Sequence, residues 1–194
     1  MYVCMYYYYY YYIELHGVSD TLEVDITQLE VLSAIRALKN NKAPGPDGLS
    51  GEFYKYAAPC VVEFLTQYFN KHLDTGTFPL GWSEPVIQPI HKKGDINSPD
   101  SYRGISVLNV IGKLYSYILN KRLTTSLEDS KLISETQAGF RKGYSTIDHV
   151  FTLLALIQKQ LLIHGKLYGA FIDFKKPLIS LIGIVSVMYF EKMV

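Results

Sequence analysis

The segment Lys-Ala-Pro-Gly-Pro-Asp-Gly at residues 42–48 constrains the folding of this 194-residue chain more than any other. Its two prolines lock φ and remove backbone donors, and its two glycines admit left-handed backbone, so neither a helix nor a ladder can run through it. It is a shaped loop, and the helices on either side must be separate elements. Upstream, Thr27 and Glu30 stand at capping-box spacing and Ile26 and Val31 can staple the entry. With Val31, Ile35 and Leu38 at helical spacing, a helix is predicted over about 28–40. Downstream, a helical stretch is predicted over about 52–74, with Pro59 starting a fresh helix and Phe64, Leu65, Tyr68, Phe69 and Leu73 as the buried stripe.

Two β-leaning runs, 86–92 and 102–108, are joined by a polar connection containing Gly94, Asp95, Asn97 and Pro99. They predict a long-looped hairpin with a basic tip at Lys92 and Lys93. A helix over about 110–127 is marked by Ile111, Leu114, Tyr115, Ile118 and Leu123. Another, over about 146–163, is marked by Ile147, Val150, Leu154, Ile157 and Leu161, with Gly165 as its stop. Residues 167–174 then read as a strand that places Asp173 in otherwise apolar company. At the other end, residues 6–12 are seven consecutive tyrosines. That tract offers neither a helical face nor a meaningful alternation and reads as the translation of a simple nucleotide repeat, within a Tyr-rich segment, residues 1–24, that is expected to be disordered. A stacking surface for bases is the functional alternative.

Hydrophobic residues make up 48% of the chain, enough for one ordinary core. The formal net charge of +1 gives no global argument for a polyanionic partner, so any such argument is local. Residues 85–145 hold nine basic side chains against five acidic ones, a pattern that a solvated helix face and a nucleic-acid groove would both produce. Cys4 and Cys60 match neither a zinc-ligand spacing nor a disulfide framework, which points to free thiols in a reducing, intracellular compartment. The N-terminus lacks a signal-peptide layout, and the longest apolar run, 178–190, is shorter than the roughly 20 residues that span a bilayer. His91, His149 and His164 lack zinc-site spacing and are expected to be structural or exposed. No Walker loop, serine-hydrolase elbow or CxxC motif is present.

Taken in order, the motifs resemble the reverse transcriptases of non-LTR retrotransposons. Lys-Ala-Pro-Gly-Pro-Asp-Gly-Leu at 42–49 resembles that family's opening loop. Pro-Ile-His-Lys-Lys-Gly-Asp at 89–95 and Ser-Tyr-Arg-Gly-Ile-Ser at 101–106 resemble its fingers motifs. Gln-Ala-Gly-Phe-Arg-Lys-Gly-Tyr-Ser-Thr at 137–146 resembles the segment before the palm, and Ala-Phe-Ile-Asp-Phe-Lys-Lys at 170–176 its first catalytic strand. The resemblance covers about residues 25–176 and implies an α+β chain carrying part of a right-hand polymerase fold. That part would be the fingers and the start of the palm, predominantly helical, with a β-hairpin and one or two palm strands.

The family's chemistry is two-metal nucleotidyl transfer, in which Mg²⁺ ions activate the primer hydroxyl and neutralise the leaving pyrophosphate. By resemblance, Asp173 would be one catalytic carboxylate and metal ligand, and the backbone carbonyl of Phe174 a second ligand; an aspartate capping the next turn is the plainer reading. Lys92, Lys93 and Arg103 would hold the triphosphate of an incoming dNTP, an arginine fork suiting phosphate oxygens and a lysine acting as a point charge. Exposed cations on a surface ribbon would look the same in sequence. Gln137, Gly139, Arg141 and Gly143 would contact an RNA template or RNA/DNA hybrid, the glycines permitting close backbone approach. For Gln137 and Arg141 the alternative is ordinary helix-flanking polarity, and Phe140 is expected to pack in the core.

The resemblance breaks after residue 176. Family members continue with Ala-Phe-Asp, where this chain has Pro177, Leu178 and Ile179. Leu178 would be a smaller stand-in for the aromatic that excludes a ribose 2′-hydroxyl, and Pro177 removes a backbone donor. Glu191 is the only carboxylate after Asp173, so the paired aspartates that complete a two-metal site are missing from these residues. Residues 177–194 therefore read as a non-family apolar tail, as from a frameshift, intron read-through or decayed element. The expectation is a catalytically incomplete reverse transcriptase segment. A non-catalytic RNA or RNA/DNA-binding remnant, or a product with no selected activity, stays open beside it.

Overall fold

The computed structural model describes residues 24–171, about half of them helical, with one antiparallel two-stranded ribbon. The tyrosine tract, Cys4, Asp173, Phe174 and everything after them lie outside the described residues. The chain divides into two units, one running to Ser126 and one from Leu127 onward.

The first unit opens with α1 (Gln28–Ala37). The predicted capping box forms: the Glu30 N–H donates to Thr27 Oγ1 at 3.3 Å and the Thr27 N–H donates to Glu30 Oε2 at 2.9 Å. Ile26 and Val31 are both buried, as a hydrophobic staple requires. The entry is clamped from α2 (Gly51–Thr75), where Asn70 accepts the Ile26 N–H at 2.6 Å and donates to the Ile26 carbonyl at 3.0 Å.

Pro59 does not start a new helix; α2 runs straight through it. Pro59 is exposed, so water can satisfy the carbonyl one turn earlier that loses its donor. The predicted stripe is also corrected in one place. Leu65 and Phe69 are buried and Tyr68 and Leu73 pack partly against the core, but Phe64 is 63% exposed. Successive helical residues differ by about 100°, so a face centred on Leu65 and Phe69 turns Phe64 to its rim. There its ring stacks on Tyr68 at 5.7 Å.

The core is an aromatic nest around Trp82 of the single-turn α3 (Leu80–Ser83). Phe78, Tyr115, Tyr68 and Phe69 place their ring centroids 5.3, 5.4, 5.6 and 5.9 Å from that of Trp82, at tilted or edge-on angles that suit ring quadrupoles. Tyr115, Leu114 and Ile118 enter from α4 (Val110–Asp129), and each fully buried side chain of this size contributes about 1.5–3 kcal/mol. The ribbon pairs β1 (Val86–His91) with β2 (Tyr102–Val107), matching the predicted long-looped hairpin.

The loop at 42–48 is shaped by Asn109. Its Oδ1 accepts the Asp47 N–H at 3.2 Å while its Nδ2 donates to the Gly81 carbonyl at 2.7 Å. A Cβ on Gly45 would sit 2.6 Å from Asn109 Cα and 2.7 Å from Asn109 N, so only glycine fits there.

In the second unit α4 ends in a Schellman arrangement. The Leu132 N–H reaches the Leu127 carbonyl at 3.1 Å, the Lys131 N–H reaches the Glu128 carbonyl at 3.0 Å, and Lys131 takes the left-handed position at φ 52°. After the loop 130–145 comes α5 (Thr146–Leu162), entered where the Asp148 carboxylate accepts the Ser145 N–H at 2.8 Å and its hydroxyl at 3.1 Å. The helix is where the periodicity places it, but its predicted stripe is not buried: Ile147, Val150, Leu154 and Leu161 are all exposed, because no described segment covers that face. Gly165 follows the helix, yet His164 adopts the left-handed conformation at φ 49°, and the Gly165 N–H closes the turn on the Gln160 carbonyl at 2.9 Å. Residues 165–171 form no strand, since no described strand offers them a ladder; the rest of the predicted strand is outside the described residues. No helix among the described residues is long and apolar enough to cross a membrane.

Candidate functional site

The register of the ribbon decides which cations share a face. Ile90 lies opposite Arg103 and His91 opposite Tyr102, and the Lys92 N–H donates to the Ser101 carbonyl at 2.8 Å. Side chains alternate between faces along each strand, so Lys92 falls on the face of Ile90 and Arg103, diagonal to the arginine. Lys93 follows at the start of the connection. The opposite face carries Ile87, Pro89, Gly104 and Ser106 together with an edge-on His91–Tyr102 pair whose rings are 5.2 Å apart. Lys92, Lys93 and Arg103 are exposed, and none makes an ion pair among the described residues.

The connection between the strands is internally braced, which fixes the two arms relative to each other. Asp95 Oδ1 accepts the Asn97 N–H at 2.9 Å, the Asp95 carbonyl accepts the Ser98 N–H at 3.1 Å, and the Tyr102 hydroxyl donates to the Ile96 carbonyl at 3.0 Å. Gly94 turns the chain at φ 104°, a conformation that β-carbon sterics deny to most residues. Asp95 thus supports the backbone instead of neutralising the neighbouring lysines.

Gln137, Gly139, Arg141 and Gly143 lie in the loop of the second unit. Arg141 is the hub of that loop. Its Nε donates to Glu128 Oε1 at 2.9 Å and its Nη2 to Oε2 at 2.7 Å, while Nη1 reaches the carbonyls of Ser134 and Gln137 at 3.0 and 3.2 Å. Its guanidinium sits 4.3 Å from the centre of the Tyr144 ring. The paired hydrogen bonds hold the Glu128 carboxyl below and the Arg141 guanidinium above their ordinary ranges. Tyr144 in turn donates to Glu135 at 2.9 Å, and this bond raises its phenol. Gly139 and Gly143 are open, with nothing among the described residues within 4 Å of a would-be Cβ.

Phe140 departs from expectation: it is fully exposed, at 107% of its reference area, and holds φ at 64°. Its apolar side chain had suggested the core; the flanking glycines and the lack of any helical or alternating pattern were the signals for a projecting loop tip. The Arg141–Glu128 pair was equally invisible, because a separation of 13 residues across a loop has no periodic signature.

His91 lies on the exposed ribbon, His149 on the exposed side of α5 and His164 in the turn after it. No three His, Cys, Asp or Glu side chains come together as a metal centre among the described residues.

A family model described as "Reverse transcriptase (RNA-dependent DNA polymerase)" matches residues 90–177, a span that contains both the ribbon and the Arg141 loop. The chain belongs to the reverse transcriptase family, in its non-LTR retrotransposon branch. It is 33% identical over 157 residues to the "RNA-directed DNA polymerase from mobile element jockey" of Drosophila melanogaster, across 78% of this chain and 17% of that protein. It is also 33% identical over 125 residues to the "Probable RNA-directed DNA polymerase from transposon BS" of Drosophila melanogaster, across 64% of this chain and 14% of that protein. A Xenopus laevis relative, "Transposon TX1 uncharacterized 149 kDa protein", is 30% identical over 142 residues, across 71% of this chain and 10% of its own length. The chain therefore spans between 10% and 17% of the length of these curated relatives.

Proposed function

We propose that this chain supplies the triphosphate-receiving and template-facing side of an RNA-directed DNA polymerase of retrotransposon type. The observation that carries this reading is the ribbon: an arginine and a lysine on one face, a second lysine beside them, exposed and without carboxylate partners among the described residues. Such a face can receive a polyphosphate, the Arg103 fork meeting paired oxygens and Lys92 and Lys93 acting as point charges. In the same reading Gln137, Gly139, Arg141 and Gly143 border the path of an RNA template or RNA/DNA hybrid. Arg141 would act there by holding the loop, since most of its donors are committed to Glu128, Ser134 and Gln137.

The family depends on divalent metal in general, and Asp173 with the Phe174 carbonyl would contribute to a Mg²⁺ site. The described residues do not by themselves fit a two-metal centre. One aspartate cannot hold two divalent cations, and Glu191 is the only later carboxylate in the sequence. We therefore propose that these 194 residues hold nucleotide and nucleic acid without completing nucleotidyl transfer. Primer extension with Mg²⁺ and dNTPs tests this; incorporation that disappears on Asp173→Ala would overturn it.

Binding of dNTP and of RNA is the complementary measurement. Neutralising Lys92, Lys93 and Arg103 together should weaken dNTP binding and flatten its salt dependence. Affinity indifferent to both changes would remove the ribbon from the proposal.

A further inference from the structure

We propose that Phe140 is a base-stacking residue that takes an unpaired base of single-stranded nucleic acid. The inference deepens the template-facing reading and rests on it. A bulky side chain at φ 64° with no packing in return is conformationally unfavourable twice over: the backbone is strained and an aromatic surface faces water. Such a residue persists only where its surroundings over-determine it. Here they do. Arg141, the next residue, is drawn inward by Glu128 and by the Ser134 and Gln137 carbonyls, and its own N–H donates to the Ala138 carbonyl at 3.3 Å. Tyr144 locks the far side through Arg141 and Glu135. The loop is built to keep Phe140 out.

The surroundings say what it is kept out for. Among the described residues of the loop 130–145, Phe140 is the sole exposed large apolar side chain, so no other side chain of this loop extends it into an apolar patch. Glu128 and Glu135 are engaged with Arg141 and Tyr144, whereas Lys131 and Lys142 are exposed and make no ion pair among the described residues. Gly139 and Gly143, which flank Phe140 in sequence, have open space about their α-carbons among the described residues. An exposed π-face in a loop that also carries open glycine backbone and cations without ion pairs among the described residues matches a nucleobase with its phosphates. The ring reads the base and not the sugar, so RNA and DNA single strands should both engage it.

The test uses the whole 194-residue chain and a fluorescent oligo(U), with a matching oligo(dT) and a strand of abasic spacers. Phe140→Ala and Phe140→Leu should each weaken binding to both base-bearing strands by about tenfold, and Phe140→Trp should retain it. The abasic strand should bind all four proteins alike. Phe140→Gly should bind as weakly as Phe140→Ala while raising the melting temperature, an outcome that a packing role for Phe140 would reverse. Salt-dependent strand binding that is unmoved by any Phe140 variant would overturn the stacking role while leaving the template-facing reading in place. Absence of any strand binding by the unsubstituted chain would remove both the stacking role and the template-facing reading on which it rests, and dNTP binding would still test the ribbon separately. A change in self-association on sedimentation, with strand affinity intact, would assign Phe140 to a protein contact and overturn the proposal.

Discussion

Arg122 on α4 grips Glu30 in the first turn of α1 with two parallel bonds, Nε to Oε1 at 2.6 Å and Nη2 to Oε2 at 2.7 Å. The same guanidinium donates to the Val24 carbonyl and, at 2.9 Å, to the Asp25 carbonyl, so one side chain ties the chain entry to a helix about ninety residues away. Glu30 is also the reciprocal half of the capping box, so its carboxylate serves helix initiation and tertiary docking together.

That double duty predicts an acid limb of stability. The Arg122 bonds, opposed by burial and aided by Thr27, lower the Glu30 carboxyl from 4.5 to about 2. A depressed carboxylate contributes stability that is whole above its unfolded value and is lost as the pH falls through its folded value, so the loss should run from about pH 4.5 down to about 2. Because the pair is partly exposed, Glu30→Gln should cost about 1 kcal/mol at neutral pH and flatten that limb. Arg122→Met, which strands Glu30 and two carbonyls, should cost about 2 kcal/mol. Urea unfolding across the acid range measures both; an unchanged acid limb in Glu30→Gln would assign the effect elsewhere.

Gly45 predicts a non-rescuable clash. Gly45→Ala should destabilise by about 1–3 kcal/mol, because its Cβ would meet Asn109 backbone atoms 2.6 and 2.7 Å away as well as the side chain. Asn109→Ala removes the side-chain oxygen but leaves the backbone, and it also abandons the Asp47 N–H and the Gly81 carbonyl. The double substitution should therefore be no more stable than Gly45→Ala. Recovery in the double variant would show that the side chain alone set the constraint.

What was legible in the sequence follows from the range of the interactions. The Thr27–Glu30 capping box, the helix of Val110–Asp129 and the ribbon are local patterns, and the structure holds them where spacing puts them. Pro59 misled because a proline on an exposed helix flank loses only a bond that water can replace. Asn109, Arg122 and Trp82 were not assigned because each acts on residues far away in sequence, and nothing in their neighbours marks them. Phe140 was misplaced for a different reason: hydrophobicity predicts burial on average, and a functional loop is where that average fails.

The stripe of α2 supplies a direct contrast between neighbouring aromatics. Phe69 is wholly buried against Trp82 and Tyr115, and Phe69→Ala should cost about 3–5 kcal/mol. Phe64→Ala removes a ring that is mostly in solvent and should change stability by less than about 1 kcal/mol. Thermal or urea unfolding of the two variants separates the observed packing from one in which Phe64 belongs to the core.

His72 should make the first unit sensitive to mild acid. Its Nδ1 lies 2.9 Å from Thr77 Oγ1, its ring meets Tyr68 and Trp82 edge-on at 4.6 and 5.2 Å, and its Nε2 is buried without a hydrogen-bond partner among the described residues. Charging the ring would place a proton on Nε2 where neither water nor an acceptor can reach it. Burial first, and the Lys71 charge second, accordingly lower the His72 value from 6.5. For a histidine held neutral in the fold, stability is whole above the unfolded value and declines as the pH falls through it toward the folded value. The loss should therefore begin near pH 6.5, well above the Glu30 limb. His72→Phe keeps a ring between Tyr68 and Trp82 but cannot charge, so it should abolish this upper slope while leaving the Glu30 limb intact. Unfolding measured from neutral pH down to about 5 decides it. A slope that persists in His72→Phe would locate the titration at another group.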